Sequence, residues 1–151
     1  MSEYTISQVL PTDKTTLAEI DVLLQKEGIR RDGNLDYICA MFDEDYHVIG
    51  TGSCFGNTLR CFAVSSDHQG EGLLNQIITH LIEVQCARGN LHLFLYTKGK
   101  SSKFFGDLGF YEIARVEDTL VFMENRRDGF GAYLRGLEKT KTEGRSAALV
   151  M

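Results

Sequence analysis

The run Cys61-Phe62-Ala63-Val64-Ser65-Ser66-Asp67-His68-Gln69-Gly70-Glu71-Gly72-Leu73-Leu74 constrains this chain more than any other. An apolar strand ends at Val64, a polar turn follows, and a glycine-spaced loop opens directly into a helix. Such a loop aims several backbone N–H groups and the positive end of the helix dipole at one point, which suits a phosphate or pyrophosphate. Gly70 and Gly72 carry no side chain to hold that group away from the backbone. An ordinary turn that needs two glycines explains the same spacing, and at the level of spacing both readings stand.

Around this run the pattern predicts a strand at 5–9, broken by Pro11 and Asp13, and a helix over 15–26. In that helix Leu17, Ile20, Leu23 and Leu24 recur at helical spacing, and Asp13 or Thr15 can serve as its cap. Strands at 37–42, 48–55 and 59–64 follow as an antiparallel meander, turning at Asp43–Tyr46 and at Gly56-Asn57. Gly50 and Gly52 inside the second of these strands signal a bulge or a close approach by another element. The strongest helix runs over 73–88, with Leu74, Ile77, Ile78, Leu81 and Ile82 on one face and Gly89 placed to end it. The apolar run at 92–97 reads as a strand covered on both faces. The order strand, helix, strand makes its two strands candidates for parallel pairing. A short helix at 101–107 and strands at 111–115 and 120–124 complete the reading. Together these elements predict an α/β or α+β domain, a mixed sheet with helices on its faces.

The chain has 151 residues, 43% of them hydrophobic and 25% charged, enough for one compact domain. A formal net charge of −5 argues against a general nucleic-acid binder. No apolar run approaches membrane-spanning length, and the polar N-terminus does not read as a secretory signal, so a cytoplasmic location is expected. Cys39, Cys54, Cys61 and Cys86 lack zinc-type or redox-type spacing and read as buried free thiols. No metal site is expected.

The segment from Val64 to Leu74, the helix after it, and Lys103-Phe104-Phe105-Gly106-Asp107-Leu108-Gly109-Phe110 together resemble the GNAT acyltransferase superfamily. Gln69 and Gly72 match its pyrophosphate loop, while Leu74 stands where a small residue belongs and so narrows the loop. The resemblance implies a mostly antiparallel mixed sheet with a splayed central strand. The strand ending in Phe62-Ala63-Val64 would part from its neighbour and take the pantetheine arm of coenzyme A as an added strand. Phe105 matches a position where many members carry a tyrosine, the acid that protonates the departing thiolate. Phenylalanine has no proton to give, a loss of about a hundredfold or more in rate. Lys98 matches the usual motif asparagine, and His68 reads as a solvated loop histidine.

Asn57 to Val64, Gln69 to Leu73, His92 to Lys98 and Phe122 to Asn125 resemble, more closely, the N-terminal domain of the citrate lyase ligase family. That resemblance covers nearly the whole chain. It implies an enzyme that uses ATP and acetate to acetylate the thiol of a dephospho-coenzyme-A-like prosthetic group. The group is borne by the acyl carrier subunit of citrate lyase, and the ATP chemistry belongs to a following nucleotidyltransferase domain. On this reading residues 1–125 form the GNAT-like domain. Residues 126–144 form a helix and linker, with Tyr133, Leu134 and Leu137 at helical spacing. Residues 145–151, with Ala147 to Met151 apolar, open a truncated second domain; an edge strand or a dimer contact would explain the same run. The expected cofactor-binding residues are Phe62, Ala63 and Val64 for the arm and Gln69, Gly70, Glu71, Gly72, Leu73 and Leu74 for the pyrophosphate, most through backbone groups. No catalytic residue is assigned. The alternatives are a free-standing N-acetyltransferase and a catalytically inactive domain that docks an acyl carrier.

Overall fold

The computed structural model describes residues 4–117, 119–126, 134 and 135. The expected linker and opening strand at 136–151 lie outside the described residues, as does Tyr133. The chain divides into two compact units, residues 1–90 and 91–151.

The first unit holds β1 (Thr5–Gln8), α1 (Lys14–Lys26), β2 (Tyr37–Phe42), β3 (Val48–Phe55), β4 (Thr58–Val64) and α2 (Leu73–Ala87). Its strands lie in the order β1-β2-β3-β4, and every pairing is antiparallel. Asp13 caps α1, its carboxylate accepting from the Thr16 amide at 3.1 Å and the Thr16 hydroxyl at 2.7 Å. The helix lays Leu17, Ile20, Leu23 and Leu24 on one face of the sheet, against Ile38, Ala40 and Ala63.

On the opposite face lies α2, and here the two strand glycines find their reason. A Cβ on Gly50 would stand 2.6 Å from Ile77 Cδ1, and one on Gly52 would stand 2.6 Å from Ile77 Cγ2 and 2.8 Å from Leu81 Cδ1. The glycines therefore form a groove that lets α2 approach β3 closely. The buried stripe of α2 is Leu73, Ile77, Ile78, Leu81 and Gln85. It begins at Leu73, whereas Leu74 and Ile82, expected on this face, are half-buried. Gln85 is buried because both ends of its amide are satisfied: Nε2 donates to the Gly56 carbonyl at 2.7 Å, and Oε1 accepts from Asn90 Nδ2 at 2.9 Å.

The second unit holds β5 (Phe94–Thr97), α3 (Ser102–Asp107), β6 (Tyr111–Val116) and β7 (Leu120–Glu124), in the antiparallel order β5-β7-β6. Its core contains Leu93, Leu95, Phe105, Phe110, Val121 and Met123. Burial in β5 is less even than its composition suggests, since Tyr96 is 38% exposed. Glu124 is buried and accepts a 2.8 Å hydrogen bond from His92 Nε2. Helices α1, α2 and α3 end alike, with a left-handed glycine (28, 89 or 109) followed by an amide that returns to the last turn. Among the described residues, no helix is long and apolar enough to cross a membrane.

The candidate anion loop and bulged strand

β4 carries an extra residue relative to β3. Thr51 pairs with Ala63 and Ser53 with Arg60, so Gly52 stands opposite both Cys61 and Phe62. Cys61 takes up the difference at φ 53°, a left-handed conformation uncommon for a residue with a side chain. Its thiol is half-buried beside Asp32 Oδ2 at 3.6 Å, and burial, the largest influence, pushes its pKa up. Arg60 Nε holds the same Asp32 oxygen at 2.5 Å. Past the bulge, Ala63 and Val64 are buried and rejoin β3 opposite Thr51 and Gly50.

After Val64 the chain forms a 3-10 turn, Ser66–His68, and then the glycine loop. The Gln69 side chain folds back so that Nε2 donates to the Val64 carbonyl at 3.0 Å, closing the turn between strand and loop. Gln69 thus shapes the loop through its amide. Gly70 and Gly72 sit at φ 84° and 75°, which by itself favours glycine at both. A Cβ at either would meet nothing within 4 Å, so the loop is open on that side. Gly72 is the N-cap of α2 and supplies no side-chain cap. The helix therefore begins with backbone N–H groups that have no helical acceptor and no capping oxygen. Asp13 answers the same need in α1. Leu73 anchors the first turn of α2 in the core at 2% exposure, and Leu74 beside it is half-buried.

Glu71 and His68 are not simply solvated. Glu71 Oε2 meets His68 Nδ1 at 2.8 Å, and Oε1 accepts from the Tyr4 hydroxyl at 3.0 Å. Tyr4 also packs edge-on against the His68 ring. Two partners thus hold the one carboxylate in the loop, and Tyr4 lies too far away in sequence for local spacing to have signalled it.

Phe105, the counterpart of the acid position by resemblance, is fully buried, in edge-on contact with Phe104 and Phe110. Cys39 and Cys54 are buried as expected, and burial pushes both thiols up to about 12. Cys61 is only half-buried and Cys86 is exposed, because Cys86 lies beside Gln85 and off the buried stripe of α2.

No protein-family model matches the chain. It is similar to a citrate lyase ligase from Klebsiella pneumoniae, 31% identical over 140 residues that cover 92% of this chain and 41% of the ligase. It is likewise similar to the ligases of Haemophilus influenzae and Escherichia coli, at 26% and 28% identity, covering 94% and 96% of this chain and 43% and 41% of theirs. The chain spans about two-fifths of the length of the curated relatives it matches. In structure it is similar to a GNAT-family acetyltransferase from Staphylococcus aureus, with a TM-score of 0.65 at 14% identity over 81% of this chain and 98% of that one. A GNAT-family N-acetyltransferase from Escherichia coli, in complex with CoA, gives a TM-score of 0.61 at 18% identity over 85% and 84%. Along nearly its whole length, this chain is a homologue of the N-terminal part of the citrate lyase ligases, built on the fold of the GNAT acyltransferases.

Proposed function

We propose that this chain is the thiol-arm-binding domain of a citrate lyase ligase and acts in the cytoplasm. It holds coenzyme A, or the dephospho-coenzyme-A-like prosthetic group borne by the acyl carrier subunit of citrate lyase. The pyrophosphate lies against the backbone of Gln69, Gly70, Glu71, Gly72, Leu73 and Leu74. The pantetheine arm runs along the backbone of Phe62, Ala63 and Val64 in β4. The observation that carries this reading is the start of α2. A helix of 15 residues begins on a left-handed glycine with no side-chain cap, at the end of a loop open to solvent. Its amides and dipole favour an anion there. Acetate activation with ATP is assigned to a nucleotidyltransferase domain of the ligase, distinct from this one.

Acetyl transfer from acetyl-coenzyme A to an amine, the activity of a free-standing N-acetyltransferase, lacks its acid at Phe105, which is buried and carries no ionisable proton. A domain that only holds the arm needs none.

Calorimetry and thermal unfolding with coenzyme A, dephospho-coenzyme A and pantetheine test the reading. At about a hundred times its dissociation constant, a ligand stabilises the fold by about 2.7 kcal/mol. Both nucleotides raise the melting temperature, and pantetheine, which lacks the pyrophosphate, raises it less. Absence of binding by all three overturns the proposal.

A further inference from the structure

The candidate anion loop lies in a stretch of chain without strongly basic side chains. No Lys or Arg occurs between Arg60 and Arg88, whereas Asp67, Glu71 and Glu83 do. Both flanking arginines hold carboxylates, Arg60 that of Asp32 and Arg88 that of Asp36. Arg31 holds Asp21 of α1. The other cations of the first unit, Lys14, Lys26 and Arg30, belong to α1 or to the segment after it, and α1 lies on the opposite face of the sheet from α2. The β2–β3 turn brings a further carboxylate near the loop histidine. Asp43 is held below its ordinary pKa chiefly by the His47 amide, and to a lesser degree by the His47 and His68 rings.

Glu71 is fixed within this acidic setting. The Tyr4 hydroxyl donates to its Oε1 at 3.0 Å, and His68 Nδ1 meets its Oε2 at 2.8 Å. Each oxygen is held, so the carboxylate stays at the loop instead of swinging into bulk water. The amides and dipole at the start of α2 favour an anion, but only with partial charge. They do not offset every further negative charge that a ligand brings, and Glu71 opposes each one.

We propose that Glu71 sets the charge selectivity of this loop, which takes a ligand whose pyrophosphate is its last phosphate and disfavours one bearing a further phosphomonoester. This deepens the thiol-arm reading and rests on it. Coenzyme A and dephospho-coenzyme A share the arm, the pyrophosphate and the adenosine. They differ in a 3′-phosphate on the ribose whose 5′ carbon carries the pyrophosphate. A phosphomonoester brings about −1.5 to −2 charge. The shared ribose keeps it roughly within the Debye length of the loop, about 8 Å at physiological salt. The selectivity works by repelling the wrong ligand and not by attracting the right one.

The test is calorimetry of the full chain with coenzyme A and with dephospho-coenzyme A at pH 8, in about 50 and about 500 mM salt. The variants are Glu71→Gln and Glu71→Lys. The control is Glu83→Lys, an exposed position about 15 Å along α2 from Leu73. The parent should bind dephospho-coenzyme A about threefold more tightly at low salt, with the preference shrinking at high salt. Glu71→Gln should remove most of that preference, Glu71→Lys should reverse it, and Glu83→Lys should keep it. Coenzyme A bound by the parent as tightly as dephospho-coenzyme A, or more tightly, overturns the proposal. So does a preference undiminished by salt, unmoved by both Glu71 variants, or moved equally by the control. Failure of the parent to bind either nucleotide strikes instead at the arm-binding reading, and this inference falls with it.

Discussion

Gly50→Ala combined with Ile77→Val tests the packing of α2 on β3 atom by atom. Replacing a strand glycine by alanine ordinarily stabilises a protein by about 0.4–1 kcal/mol, because the unfolded chain loses freedom. At Gly50 the new methyl would stand 2.6 Å from Ile77 Cδ1, while its other neighbours, the Ala63 carbonyl and Met41 Cβ, lie at an ordinary 3.6 Å. Ile77 is fully buried and has little room to give. Overpacking of this kind costs about 1–3 kcal/mol, so the net expectation is a loss of about 1–2 kcal/mol. Ile77→Val removes the one atom in conflict and alone costs about 0.5–1.5 kcal/mol.

The double variant should therefore be more stable than the sum of the two losses predicts, by about 1 kcal/mol. Urea unfolding followed by far-ultraviolet circular dichroism measures each corner of the cycle, with an unchanged m-value as the sign that only the native state moved. Gly52 provides the control. Its conflict is with Ile77 Cγ2 and Leu81 Cδ1, and valine keeps the equivalent of Cγ2. Ile77→Val should leave Gly52→Ala unrelieved. Additivity within about 0.5 kcal/mol at Gly50, or equal relief at both glycines, would refute the close-approach account.

Three further outcomes follow from other sites. Glu71→Gln removes the carboxylate beside the anion loop and should tighten coenzyme A binding by about two- to fivefold in calorimetry, a surface-charge effect; weaker binding would mean that Glu71 takes part in holding the ligand. Gln85→Ala strands the Gly56 carbonyl and the Asn90 amide and should cost about 1–3 kcal/mol in urea unfolding. With iodoacetamide at pH 8, Cys86 should react first and Cys39 and Cys54 only on unfolding. Because burial raises those two thiols from 9.0 to about 12, folded and unfolded chains keep the same protons below pH 9. Above it the unfolded thiols ionise first, so stability should fall between pH 9 and about 12, and a flat alkaline profile by circular dichroism would refute the assignment.

Much of this architecture is legible because local chemistry fixes it. Asp13 before the Leu17 periodicity, the glycines that follow each helix, and the turn residues at Asp43–Tyr46 and Gly56-Asn57 each act within a few residues. Gly50 and Gly52 signalled that something comes close, and only the fold could say that it is Ile77 and Leu81. The Tyr4–His68–Glu71 contact was hidden for the same reason, since it joins residues more than sixty apart in sequence. Cys61 gave no sign of its left-handed backbone, because a bulge depends on the register against β3 and not on the residue that absorbs it. Gln85 is polar and carries no signal in an apolar periodicity. Its burial depends on two partners supplied by a distant turn and by the residue that follows the helix cap.

The proposed anion loop and the glycine groove both act on one helix. α2 carries the loop at its N-terminus and is seated by Gly50 and Gly52 four residues further on, at Ile77. Leu73, buried one turn before Ile77, transmits the seating depth to Gly72. Gly52→Ala, which meets both Ile77 and Leu81, should push the helix outward and carry the loop amides with it. Displacement of about an ångström at a positioning element lowers function by up to a hundredfold, and a backbone site is especially exposed because no side chain can re-aim. Coenzyme A affinity should accordingly fall about threefold or more in this variant, measured by calorimetry at a temperature where circular dichroism shows it fully folded. A variant that loses stability yet binds coenzyme A as tightly as the parent would break the link between groove and loop, leaving the glycines of β3 a matter of packing alone.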